Sequence, residues 1–276
     1  AVEPWNRRGP QARALVAGKR LAQDGPGSGI DLSGELQTLR THLQAEEVER
    51  LQHIGSLASD AIAEVMAAVQ PGMTEYAIAG LLARASLTRG GHAVVNLVAS
   101  DERIERYRHP LPTSKSVERY VMVVLCLRWQ GLVAAVTRLV HFGPIPDALA
   151  AKAGMVANID ARMIVGTRPG RTLGEMYALA AQAYRDAGYP AAIEEHHQGG
   201  SIAYLPREVL ARPNETTMIA ERQAFAWNPS LRGAKSEDTI IAGPDGPIVV
   251  TQTPGWPMLS VTIDGQTIER PAILER

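Results

Sequence analysis

The chain of 276 residues has one cysteine, Cys126. That excludes an internal disulfide framework and fits a reducing compartment. Set in an apolar run, Cys126 reads as a packed small hydrophobe rather than as a nucleophile. No run of 18 apolar residues is present, so no membrane-spanning helix is expected. The opening AVEPWNRRGPQAR lacks the apolar core of a secretory leader, and the cytoplasm is the expected location. A start at Ala rather than Met is expected of processing or of a piece of something longer. A basic surplus is missing too: 28 Lys and Arg stand against 29 Asp and Glu, a formal net charge of −1. Binding to nucleic acid or to an anionic membrane needs such a surplus, so neither is an expected partner. The Arg7-Arg8 pair and the arginines between 103 and 108 are scattered, and read as solvated faces.

At 45% hydrophobic and 21% charged, the composition is that of a globular protein. The length allows one full core, with or without the remnant of a second domain. Residues 1–41 are rich in Gly and Pro, with Gly25-Pro26-Gly27-Ser28-Gly29 at their centre, and read as a linker preceded by a strand over 14–21. From residue 44 the apolar spacing becomes helical: Val48, Leu51, Ile54, Ala58, Ala61, Ile62 and Val65 recur every three or four positions. Pro71-Gly72 stops this helix, and Thr74 caps a second one over 75–89, which ends at Gly90-Gly91. A strand over 93–99 follows.

The same order recurs. A helix is expected over 147–164, Pro169-Gly170 and Thr172 match Pro71-Gly72 and Thr74, a helix covers 173–186, and Gly188 matches Gly90. The offset is 98 residues each time: 169 − 71, 172 − 74 and 188 − 90. A unit occurring twice predicts two pseudo-symmetric halves with a cleft between them. The second half should carry strands over 192–198, 204–208, 216–219, 224–227, 236–242 and 247–250. The alternation over 261–268 with Asp264-Gly265 reads as a hairpin.

Between the repeats lies the stretch 107–143, with His109-Pro110-Leu111-Pro112-Thr113, an apolar strand over 121–127, a turn at Trp129-Gln130-Gly131 and a return strand over 132–140. This frame resembles the pita-bread family of methionine aminopeptidases, prolidases and creatinase, in which an HxxP[ST] turn precedes a hairpin of the form VxxDxGxxxxGxxxDxTR. His109, Pro112, Thr113, Gly131, Thr137 and Arg138 match it. The resemblance covers about residues 42–253. It implies an α+β pita-bread fold over 42–276, two αβ halves around a curved antiparallel sheet, with residues 1–41 as linker and remnant of an amino-terminal domain.

The metal pair of the family is where the chain departs. The resemblance places its five ligands at Val124, Ala135, Ser201 (in His197-Gln198-Gly199-Gly200-Ser201), Asn228 (in Trp227-Asn228-Pro229) and Glu237 (in Lys235-Ser236-Glu237-Asp238-Thr239). Only Glu237 keeps a ligand side chain, and Val124 and Ala135 cannot donate at all. No metal and no other cofactor is expected. What the resemblance leaves is His109 as general acid/base, a role that suits an unperturbed pKa of about 6.5, His197 as substrate orienter, and Glu237 as a carboxylate for a cationic group or a His. His196, Ser201, Asn228, Lys235 and Arg138 are candidate substrate contacts, with a structural ion pair the other reading of Arg138 and Lys235. His196 and His197, adjacent on a strand, should face opposite ways.

These positions lead to three expectations of function. The first is a metal-independent, creatinase-like enzyme that hydrolyses or eliminates a C–N bond of a small amino-acid-derived or short-peptide substrate. The second is an inactive peptidase-like module that binds a peptide or protein partner. The third is a metal-dependent Xaa-Pro-type aminopeptidase. Family members often pair across the cleft, so a homodimer is expected.

Overall fold

The structure, a computed structural model, describes residues 14–276 apart from Ser28; the leader reading and the Arg7-Arg8 pair lie outside the described residues. The chain divides into two compact units, Ala1–Arg40 and Thr41–Arg276. In the first, residues 14–16 form a helical turn where a strand was expected. The Ala17 and Lys19 amides bond back to the carbonyls of Ala14 and Val16, and Gly18 takes a φ of 72°, so the amides a strand would offer are used locally. β1 (Ala22–Gln23) and β2 (Ile30–Asp31) pair in parallel, and α1 (Ser33–Thr41) follows.

The second unit begins with α2 (Ala45–Ala68) and α3 (Glu75–Thr88), then β3 (His92–Ser100), the short α4 (Glu102–Arg106), and the hairpin β4 (Tyr120–Trp129) and β5 (Leu132–His141). Gln130 and Gly131, at φ 45° and 91°, make the two-residue turn whose twist suits a hairpin. The repeat supplies α5 (Asp147–Gly166) and α6 (Leu173–Asp186), then a 3₁₀ turn (Pro190–Glu194). The strands after it are β6 (Gly199–Ile202), β7 (Val209–Leu210), β8 (Ala224–Trp227), β9 (Ser230–Leu231), β10 (Ala234–Lys235), β11 (Asp238–Ile241), β12 (Ile248–Val249), the hairpin β13 (Met258–Ile263) and β14 (Gln266–Pro271), and β15 (Leu274–Glu275). The paired glycines of the repeat adopt matching conformations: Gly72 and Gly170 at φ 90° and 91°, Gly90 and Gly188 at 75° and 83°. Thr74 and Thr172 each cap their helix by accepting an amide three residues on.

Two sheets form the centre, in the orders β15-β5-β4-β3 and β12-β11-β8-β6-β7. They adjoin where the Thr137 amide donates to the Glu237 carbonyl at 3.0 Å and the Thr239 hydroxyl exchanges hydrogen bonds with the Ala135 backbone. α2 and α3 cover the first sheet, burying Leu51, Ile54, Ile62, Val65 and Leu82 against Val121, Val123, Leu125 and Val136. α5 and α6 cover the second with Ile159, Met163, Met176 and Tyr184 against Phe225, Trp227 and Ile240. Each of the larger side chains contributes about 1.5–3 kcal/mol by leaving water. Among the described residues no helix is long and apolar enough to cross a membrane.

The expected strand over 192–198 is absent. Pro190 opens a 3₁₀ turn, and Gln198 Nε2 donates to the carbonyls of Ile193 and His196 at 3.1 and 2.8 Å. Side chains thereby take the carbonyls that a sheet ladder would need. Residues 204–208 are likewise irregular, with the Tyr204 and Leu205 amides bound by the Glu208 carboxylate. Residues 216–219 contribute only an isolated bridge, from Met218 to Thr172.

Candidate active site

The turn bearing His109 is held by a buried carboxylate at the start of α3. Glu75 Oε2 accepts from the Thr113 amide and hydroxyl at 2.9 and 2.7 Å, while Oε1 accepts from the Ser100 amide and hydroxyl and from Arg103 Nε at 3.0 Å. The Tyr76 amide donates to the Thr113 carbonyl as well. His109 therefore leaves an anchored turn, and it is the exposed member of the site. Its ring stacks on that of His197, with centroids 5.3 Å apart and planes at 27°.

His197 stands just before β6. The Gly199 amide donates to its Nδ1 at 3.3 Å, so a neutral ring carries its proton on Nε2. Asn228 follows β8 and is fixed beside this segment by its amide bond to the Gln198 carbonyl at 3.1 Å. Its side chain is 2% exposed and its Oδ1 has no hydrogen-bond partner. Glu237, also 2% exposed, receives Lys235 Nζ at 3.0 Å and the Thr137 hydroxyl at 2.7 Å on Oε2, and Arg207 Nη2 at 2.9 Å on Oε1. Together with Val95, Leu97, Val124, Cys126 and Pro206, these residues line a cavity of about 110 Å³. A larger groove of about 740 Å³ between α5, α6 and the β13–β14 hairpin has Arg168, Arg171 and Asp264 in its lining, all exposed. Such side chains read as a solvated surface, and the small cavity is the candidate site.

Burial would raise the Glu237 carboxyl, but Lys235 and Arg207 outweigh it and hold the group at about 2. The imidazoles go the other way from their ordinary value. Burial first, then Arg207, lowers His197 to about 4, and burial with Lys235 lowers His196 to about 3. His109, exposed at its turn but with its ring partly covered by the site, is lowered in the same sense by that partial burial and by Lys235. At neutral pH the site therefore holds neutral imidazoles around an ionised, cation-bound carboxylate. Burial pushes the Cys126 thiol up to about 12, so it lines the wall as an uncharged group.

Five of the eight candidate residues thus meet in one cavity: His109, His197, Asn228, Lys235 and Glu237. The other three do not line it. Both ring nitrogens of His196 are engaged, Nδ1 with the His197 carbonyl and Nε2 with the Ser230 hydroxyl at 2.7 Å, which makes it a support for its neighbour. Ser201 accepts the Val209 amide at 3.1 Å within the sheet. Arg138 is 1% exposed and donates to Asp238 at 2.9 Å, to Thr253 and to the Thr251 carbonyl. It is the structural ion pair of the two readings: across the hairpin it pairs with Val123, on the face opposite to that of Val124, and Val124 is the one that lines the cavity. Sequence reading missed Arg207 and Glu75. Arg207 lies in an irregular loop with no periodic or motif signal, and only folding brings it to Glu237.

The donor set does not suit a metal pair. Val124 lines the cavity with a methyl surface, Ala135 has no donor, and both Glu237 oxygens are occupied by cations and a hydroxyl. Among the described residues no group of three or more His, Cys, Asp or Glu is placed to hold an ion.

Comparison with known proteins gives the following. The family model for metallopeptidase family M24 matches residues 49–244. The uncharacterized peptidase YqhT of Bacillus subtilis strain 168 is 23% identical over 238 residues; the match takes in 82% of this chain and 66% of that protein, just under two thirds of its length. Among solved structures, the Xaa-Pro dipeptidase from Bacillus anthracis superposes with a TM-score of 0.79 at 19% identity, covering 100% of this chain and 80% of that one. The X-Pro aminopeptidase from Thermotoga maritima MSB8 gives 0.79 at 20% identity over 97% and 71%. The prolidase from Pyrococcus furiosus gives 0.75 at 19% over 81% and 68%. At these identities the structures establish the pita-bread fold.

Proposed function

Because this chain belongs to metallopeptidase family M24, we propose that it is an enzyme of that family which works without a metal pair, hydrolysing or eliminating a C–N bond of a small amino-acid-derived substrate with His109 as general acid/base. The observation that carries this reading is the pairing of His109 and His197 over a cavity whose remaining carboxylate is bonded to Lys235 and Arg207. A pure binding module has no need of a proton-transfer group at the mouth of such a cavity. His109, neutral at pH 7, can take a proton from water or from the substrate and return it to the departing nitrogen. His197, its Nδ1 occupied, presents Nε2–H as a donor that orients a substrate oxygen. Glu237 stays ionised and holds the two cations in place. The cavity's size favours a small substrate over a long peptide.

The test is a panel of guanidino, ureido and N-acyl amino acids assayed on chelator-treated protein, beside His109→Ala. Activity that survives chelation and falls at least ~100-fold in the variant, with its thermal unfolding unchanged, is the expected result. Activity that appears only with added manganese, cobalt or zinc on Xaa-Pro peptides would replace this reading with the metal-dependent one. Equal turnover by His109→Ala would sink the assigned role.

A further inference from the structure

The charged residues lining the cavity do not balance. Lys235, 8% exposed, and Arg207 are positive, Glu237 alone is negative, and His109 and His197 are held neutral. The buried arginine network of the same unit does balance: Arg138 and Arg270 face Asp160 and Asp238, in contacts of 2.6 to 2.9 Å. An uncountered positive charge in a poorly solvated cavity is costly, and water reaching the 15% of the Arg207 side chain that is exposed offsets only part of it. The single carboxylate that the family pattern assigns to metal is already saturated by two cations and a hydroxyl.

We infer that Lys235 is the resident cation of this site, bonded to Glu237 where relatives of the fold use metal ions, and that with Arg207 it makes the cavity a receptor for one small carboxylate rather than for a divalent ion. Both side chains have donors beyond those given to Glu237, since an ammonium has three and a guanidinium five. A carboxylate beside them would complete a two-plus, two-minus arrangement like the one between Arg138 and Arg270. The apolar part of the lining, Val95, Leu97, Val124 and Cys126, suits a short apolar body. The unpartnered Oδ1 of Asn228 calls for an N–H or O–H on the same ligand. The ligand class is therefore a small carboxylic acid bearing a nearby amino, amido or hydroxyl group, which would be the acid end of the proposed substrate. This inference rests on the reading of the cavity as the substrate site.

The experiment separates binding from turnover. The Cε1–H signals of His109 and His197 are followed by NMR in the chelator-treated full chain while propionate, or its neutral isostere propionamide, is added, and then with MnCl₂. Propionate should shift both signals saturably, and propionamide should bind at least about tenfold more weakly. Lys235→Met should lose that preference, and manganese should leave the signals sharp. Equal binding of acid and amide, or stoichiometric broadening by manganese, would overturn the inference. The acid–amide comparison needs no variant, and Arg207→Gln serves if Lys235→Met fails to fold. Preference for the acid in a chain that turns over no substrate upholds this inference and removes the enzyme reading, whereas turnover without that preference does the reverse.

Discussion

Protonation of the imidazoles is the step by which acid would reach this site. His196 and His197 have folded values of about 3 and 4, below the unfolded value of about 6.5, so between those limits the unfolded chain binds more protons than the native one. Their depressed values act with those of Glu237, whose folded value of about 2 lies below the ordinary carboxylate range. Stability should therefore be flat above about pH 7, fall as the pH drops through 6.5 toward 4, and fall further as Glu237 begins to protonate. Urea midpoints measured from pH 8 to pH 4 check this; a midpoint that rises on acidification would contradict it. The residue types in the site were readable from the family pattern, but their ionisation was not. It depends on Arg207 and Lys235 converging on Glu237 from segments 30 and 2 residues away.

At the scale of elements, Gly199 of β6 combines a left-handed backbone with a close approach. Gly199 sits at φ 107°, and a Cβ there would lie 2.1 Å from the Ala226 carbonyl oxygen on β8. Gly154, on α5, would place a Cβ with nothing within 4 Å. Gly199→Ala should therefore cost at least ~2 kcal/mol and weaken the β6–β8 pairing that sets His197 and Asn228. Gly154→Ala should stabilise by ~0.5–1 kcal/mol through helix propensity. Chemical denaturation of the two variants side by side tests both signs. The helices and the central hairpin could be read directly because their apolar periods run over several turns and end at Pro-Gly or Gly. The strand expected at 192–198 could not, because Gln198 and His196 satisfy local backbone groups and leave nothing for a ladder.

Across the whole second unit, one buried network ties separate parts of the chain together. Arg270 on β14 donates to Asp160 on α5 and Asp238 on β11, and Asp238 accepts from Arg138 on β5. These residues are 4% exposed or less. Arg270→Leu would leave two carboxylates facing one arginine, and a loss of ~3–5 kcal/mol is expected, with Met as the replacement that best preserves the stem packing. Calorimetry on Arg270→Leu and Arg270→Met would show whether the cost follows the lost charge, in which case both variants fall alike, or the lost volume.

The main helices, the 98-residue repeat and the central hairpin followed from local chemistry, through apolar spacing and glycine and proline punctuation; it was the family resemblance that set Val124 and Ala135, which cannot donate, at metal-ligand positions. Which polar groups serve the site was decided by the tertiary fold. Arg138 and Lys235 both read as possible anion contacts along the chain, yet strand alternation turned one into a balanced interior network and the other into a cavity with charge to spare. Sequence spacing sets which faces residues occupy along an element, but buried charges are paid for by partners that only three-dimensional packing can bring within 3 Å.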